Sequence, residues 1–160
     1  MEEREKLTIV VFSGELDKAL AAFNIAIGAA SMGMEVSMFF TFWGLNIIKK
    51  NQGPIKSRGI MRKMLNFMNR GGSKRLPLSK FNMFGLGKWM MGRLMRNAKF
   101  PSLDELIAVA HEAGVKFIAC TTSMGIMGIS KEAFIPQVDS LAGVATYLAE
   151  AKDGKVNLFI

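Results

Sequence analysis

The strongest constraint on the fold is the order strand, helix, strand written into the first forty-two residues. Residues 6–13 (KLTIVVFS) form a short apolar, β-branched run bounded by polar residues and Gly14, the pattern of a parallel strand covered on both faces. Residues 16–32 (LDKALAAFNIAIGAASM) are rich in Ala, with Leu16, Leu20, Phe23 and Ile27 at helical spacing and Gly33 placed to end a helix. Residues 35–42 (EVSMFFTF) then predict a second strand. Two strands joined by one helix in so short a span make a βαβ unit, which requires a parallel sheet and a right-handed crossover.

The same grammar returns after position 100. Ser102 is an N-cap candidate before Leu103, Asp104 and Glu105, whose acids suit the positive end of a helix that should stop at Gly114. Residues 115–120 (VKFIAC) predict a strand, and the small-residue turn TTSMGIMG after it can open a short helix. Residues 139–151 (DSLAGVATYLAEA) predict the last helix and 156–160 a closing strand. A fifth strand around 134–138 is opposed by Pro136, which cannot donate to a ladder.

Between these regular parts lies a segment of different character. The chain has 160 residues, the size of one compact domain, and a net charge of +8, but the basicity is regional. No Asp or Glu occurs between Val36 and Leu103, a span that holds fourteen of the Lys and Arg residues and eight of the thirteen Met. We read positions 45–100 as an insertion after the second strand, broken by Gly53-Pro54, Gly71-Gly72 and Pro77. Met61, Met64, Leu65 and Met68 are spaced for a short amphipathic helix, and a second, weaker one spans 88–96. Three readings compete for this segment. Its Met and Phe seal it onto the core or a neighbouring subunit, it touches an anionic membrane surface, or it binds nucleic acid. The last is least favoured, because no reading motif accompanies the charge.

Several classes of function are excluded by residue counts. One Cys permits no internal disulfide, and one His with it cannot supply a zinc site, so neither metal nor cofactor is expected. The polar N-terminus and the six-residue apolar run after it fit neither a signal peptide nor a spanning helix; a cytoplasmic location is expected. Gly85-Leu86-Gly87-Lys88 lacks the spacing and the Ser/Thr of a phosphate loop.

What remains is Cys120, at the carboxyl end of a strand, where α/β sheets place their reactive loops. N–H groups of the following turn would favour its thiolate; equally, a strand-end Cys can be a small buried hydrophobe. Ser123 stands where a dithiol motif would carry its second Cys, so only one-cysteine chemistry is open. His111 lies in the preceding helix, badly placed to serve as a base. The turn Ser13-Gly14-Glu15-Leu16-Asp17 should bring backbone N–H groups to the same edge, although its acids disfavour a phosphate there, with Asp17 a first-turn dipole partner.

Four stretches together resemble the DsrE/DsrF-like sulfur-relay family, in the branch of putative sulfurtransferases and peroxiredoxin homologues. They are LTIVVFSGELDKALAAFNIAIGAASMGMEVSMFFTFWGL, PSLDELIAVAHEAGVKFIACTTSMGIMGI, ATYLAEA and the terminal LFI. The resemblance implies a three-layer α/β/α fold around a mainly parallel sheet of about five strands, homo-oligomers, and sulfane sulfur carried as a persulfide on Cys120. Sulfur donor and acceptor proteins or small thiols would be its partners. Phe117, Ile118 and Ala119 before Cys120 do not form the Pro/Thr-x-x-Cys peroxidase signature, and the Arg-bearing rhodanese loop is absent. The rival expectation is a non-catalytic binding module that docks an acidic or membrane-bound partner, with Cys120 merely packed.

Overall fold

A computed structural model describes residues 4–51 and 58–160. The Gly53-Pro54 break expected in the basic segment lies outside the described residues. Five strands form one fully parallel sheet in the order β4-β3-β2-β1-β5: β1 Lys6–Val11, β2 Glu35–Phe40, β3 Lys116–Cys120, β4 Ser140–Ala142 and β5 Val156–Phe159. The helices are α1 Leu16–Ser31, α2 Ile60–Met68, α3 Leu86–Asn97, α4 Leu103–Glu112, α5 Thr121–Met127 and α6 Val144–Ala151. A 3-10 turn, Phe42–Asn46, follows β2.

The continuous apolar runs of the strands hide an alternation that the two faces resolve. Leu7, Ile9, Val11, Val36, Met38, Phe40, Phe117 and Ala119 point to one face, into the main core beneath α1 and α4. Ala19, Ala22 and Ala26 of α1 are fully buried there, and their small side chains let Phe23 pack edge-on against Phe117 at 5.6 Å and lie 6.2 Å from Phe40. Val10, Phe39, Ile118 and Cys120 point to the other face, covered by Tyr147 and Ala151 of α6. Phe39 stacks on Tyr147 at 5.0 Å, and the Tyr147 hydroxyl meets Thr8 at 3.2 Å. This second layer is thin, because one eight-residue helix supplies it.

Two expectations need correction. The fifth strand is Ser140–Ala142, not 134–138, and the last helix starts at Val144 rather than at 139. Asp139 decides this: its N–H donates to the Phe117 carbonyl at 3.0 Å and its carboxylate accepts the Phe117 N–H at 2.7 Å. Those bonds lay the next three residues along β3, and tertiary pairing overrides a helix-like composition. Phe134 makes only an isolated antiparallel bridge to Lys49. The Ser102 cap is a full capping box with Glu105.

The basic segment does not seal its Met residues onto the core. Met61, Met64, Phe67 and Met68 of α2 are exposed, and its buried side chain is the polar Asn66, which donates to the Met127 carbonyl at 2.9 Å. Exposed too are Phe81, Phe84, Trp89 and Leu94, in and before α3. Polar anchors tie the segment down. Asp17 accepts the N–H of Ser79 at 2.9 Å and its hydroxyl as well, so it is a loop anchor rather than a dipole partner alone. Burial raises the Asp17 carboxyl, but the Ser79 bonds outweigh it and hold the group below the usual carboxylate value.

Lys49 is the strained anchor. It is 8% exposed, and its ammonium reaches the Asn69 carbonyl at 3.4 Å; burial depresses its pKa from 10.5 to about 8. A folded-state pKa below the unfolded value means that the unfolded chain binds more protons between the two. Stability therefore rises as pH climbs from about 8 towards 10.5. Lys49→Met is expected to raise stability at pH 7 by about 2 kcal/mol and to flatten that rise. Denaturant midpoints across this pH range check it; an unchanged slope in the variant contradicts it.

Candidate functional site

Cys120 ends β3, and its extended backbone (φ −71°, ψ 114°) makes it the N-cap of α5. Parallel pairing sets Phe40 opposite Ala119, which carries Thr41 to the place beside Cys120. Thr41 and Ser123 hydroxyls lie 2.8 Å apart. Burial pushes the thiol up, but the Ser123 N–H, the hydroxyl pair of Ser123 and Thr41 and the Thr122 N–H favour the charged sulfur, and together they hold it below the usual thiol value. The arrangement favours the thiolate over the thiol.

The sulfur is also enclosed. Cys120 is 1% exposed, within a cluster with Phe39, Ile118, Tyr147 and Ala151 and partly buried Val10 and Ala142. The accessible thiol expected for a relay is therefore not what the single chain presents. Acidity and access are separate properties, and this fold supplies the first while α6 and β4 withhold the second. Reaction at Cys120 needs local opening of that thin layer.

His111 is exposed on α4, with its ring 6.0 Å from Phe117, a residue of the opposite sheet face, so it does not pair with Cys120. The turn after β1 is not a set of free donors either. Phe12 and Ser13 donate to the Ile160 carbonyl and Leu16 to that of Pro77. Thr41 is the participant that sequence reasoning missed. Its only signal was a lone hydroxyl at the end of an apolar strand, seventy-nine residues before the Cys.

Thr41 leads into a tight seam. Phe42 takes a left-handed backbone (φ 47°), unusual for a bulky side chain, and the chain then folds back over the end of β1. Gly44 donates to the Phe12 carbonyl at 2.7 Å, and a Cβ placed on it would lie 1.9 Å from the Val11 oxygen. The donors around Cys120 thus depend on a glycine that no side chain can replace without movement.

A parallel α/β sheet holding one acidified cysteine at a strand's carboxyl end defines a class of single-cysteine α/β proteins. Within it, residues 3–159 match the model of the DsrE/DsrF/DrsH-like family, and the chain belongs to that family. It is 42% identical over 159 residues to the uncharacterised protein YrkE of Bacillus subtilis, covering 99% of each chain. It is 33% identical over 165 residues to the sulfur carrier protein DsrE2 of Allochromatium vinosum, again covering 99% of each. The solved structure of the ychN protein from E. coli shares the fold, with a TM-score of 0.60 at 11% identity over 98% of this chain and 99% of that one. The MTH1491 protein of Methanobacterium thermoautotrophicum does so with a TM-score of 0.55 at 8% identity, over 98% and 99%. Among the described residues no helix is long and apolar enough to cross a membrane.

Proposed function

We propose that the protein is a cytoplasmic sulfur carrier, a sulfurtransferase in the broad sense, that holds sulfane sulfur as a persulfide on Cys120. Family membership and the similarity to a sulfur carrier support a sulfur-relay role at the level of the family. The observation that carries the reading to Cys120 is its place at the end of β3 and the start of α5, beside the paired Thr41 and Ser123 hydroxyls, where its thiol is held low. In the loading step the Cys120 thiolate attacks the outer sulfur of a donor persulfide, R–S–SH. The new bond joins the two sulfurs, the donor's S–S bond breaks, and R–S⁻ leaves with its electron pair. The proton stays on the transferred sulfur, and nothing is oxidised or reduced overall. In the unloading step an acceptor thiolate attacks that outer sulfur and releases Cys120 as thiolate, which the same groups stabilise as a leaving group.

Uptake and return test this. One equivalent of a persulfidated thiol should add about one sulfur atom to the intact mass, excess thiol should remove it, and Cys120→Ser should show no gain. A wild-type chain that gains nothing at this stoichiometry would count against the carrier reading.

The burial of Cys120 favours a second reading, in which the thiol is packed and the chain is a docking module. In either case the exposed Met and Phe of α2 and α3, in a span without acids, call for a covering partner. We assign homo-oligomer contact first and an anionic membrane surface second. The expected result is light scattering above 17.6 kDa, with any cosedimentation on anionic vesicles falling as salt rises. A monomer that binds vesicles independently of salt contradicts both assignments.

A further inference from the structure

A cavity of about 360 Å³ opens at the carboxyl ends of β1 and β2, and the carrier chemistry leaves it unused. Its walls are the turn after β1, the Phe42–Asn46 turn and residues 69–77. Thr41, whose hydroxyl lies beside Cys120, and Cys120 itself are not among its lining residues. In parallel sheets ligands bind beyond the carboxyl ends of strands, beside the strand where the order turns round. Here that strand is β1, with β2 on one side and β5 on the other.

The walls are built by close backbone approach. A Cβ on Gly14 would lie 2.5 Å from the Trp43 carbonyl oxygen, and one on Gly71 would lie 2.7 Å from the Asn46 Cα and oxygen. Asn46 and Asn69 bond reciprocally through their amides, at 2.8 and 3.3 Å, and fix the 69–77 wall to the turn. The lining has two characters. Phe12 and Trp43 provide aromatic surface, while Lys18, Arg70 and Arg75 bring positive charge against the single acid Glu15. Glu15 is already paired with Lys18 at 2.6 Å, and neither arginine has a carboxylate partner among the described residues. Buried Lys49 stands behind the same wall through its bond to the Asn69 carbonyl.

We infer that this cavity binds a small organic phosphate, its dianion held by Arg70 and Arg75, which outweigh the Glu15–Lys18 pair beside them, and its flat body by Trp43 and Phe12. The lining's net formal charge of +2 matches a phosphate monoester dianion better than a single carboxylate. The volume lies at the small end of ligand sites, which suits a compact aryl or nucleoside monophosphate. The inference is independent of the carrier reading.

The chain has two tryptophans, so Trp89→Phe leaves Trp43 in the cavity wall as the only indole. Titrating that variant with adenosine 5′-monophosphate and with phenyl phosphate should change the fluorescence saturably. Adenosine, phenol and inorganic phosphate should each bind at least tenfold more weakly than the esters. Adding Arg70→Ala and Arg75→Ala should weaken ester binding at least tenfold, while Lys99→Ala, outside the cavity, should leave it unchanged. Far-UV dichroism monitors the fold of each variant, and Arg75→Lys, which keeps the charge, serves if the double variant unfolds; it should weaken ester binding less than Arg75→Ala. No saturable response to either ester up to about 10 mM, or esters no tighter than their neutral bodies, overturns the proposal. So does affinity that survives loss of both arginines. None of these outcomes bears on sulfur uptake by Cys120, so the two readings fail separately.

Discussion

Replacing Thr41 by Val and Ser123 by Ala together is expected to slow reaction of Cys120 with a sulfane donor severalfold at pH 7, and to speed it at high pH. The Thr41–Ser123 hydroxyl pair favours the charged sulfur, and a hydrogen bond to a charged group contributes about 1.5–3 kcal/mol. Losing both moves the thiol back towards its ordinary value and lowers the thiolate fraction at neutral pH. The remaining thiolate is more basic and more nucleophilic, which with a Brønsted coefficient of about 0.4–0.5 restores part of the loss. At high pH both proteins are fully ionised and only the gain in nucleophilicity is left, so the two pH–rate profiles must cross. Stopped-flow rates from pH 5 to 11 decide it. Parallel profiles would mean that the hydroxyls merely pack against the sulfur, and a variant faster at every pH would mean that they only block access.

Gly44→Ala is expected to destabilise the protein by about 3 kcal/mol or more, a fall of about 10 °C in Tm for a domain of this size. The new methyl would stand 1.9 Å from the Val11 carbonyl oxygen, a backbone atom in the β1 ladder that cannot step aside. Relief requires moving the Phe42–Asn46 turn, and Thr41 moves with it. Gly28→Ala is the matched control. Gly28 sits within α1 with open space around its Cα, so the same substitution should stabilise by about 0.5–1 kcal/mol through helix propensity. Thermal melts of the pair give opposite signs if the seam is as tight as described. A neutral Gly44→Ala would show that the turn has room to yield.

The contrast between those glycines marks what could be read from the chain. The βαβ unit was legible because local pattern and tertiary role agree: the apolar run of β1, the Ala-rich face of α1 and Gly33 each state their place without reference to distant residues. The capping box at Ser102 is local in the same sense. β4 was not legible, since three residues carry no period and Asp139 directs them through bonds to Phe117, twenty-two residues away. The amphipathic spacing of α2 gave the helix correctly but not its orientation, because Asn66 rather than the Met stripe turns inward. At the site, the position of Cys120 and the donors of its own turn follow from local sequence. Thr41 enters only through the register of β2 on β3, and the cover of Tyr147 only through the return of α6.

That cover makes access to the sulfur the point on which the account stands. The most direct measurement is the time course of sulfur uptake by the native wild-type chain at one equivalent of persulfide donor, with the modified peptide mapped by mass spectrometry. The rate of global unfolding is measured in the same buffer. The account predicts one sulfur on Cys120, acquired much faster than the chain unfolds, because only the thin layer formed by α6 and β4 needs to open. Uptake no faster than global unfolding, or a thiol that stays unmodified until denaturant is added, would contradict the carrier function and leave Cys120 as a packed core residue.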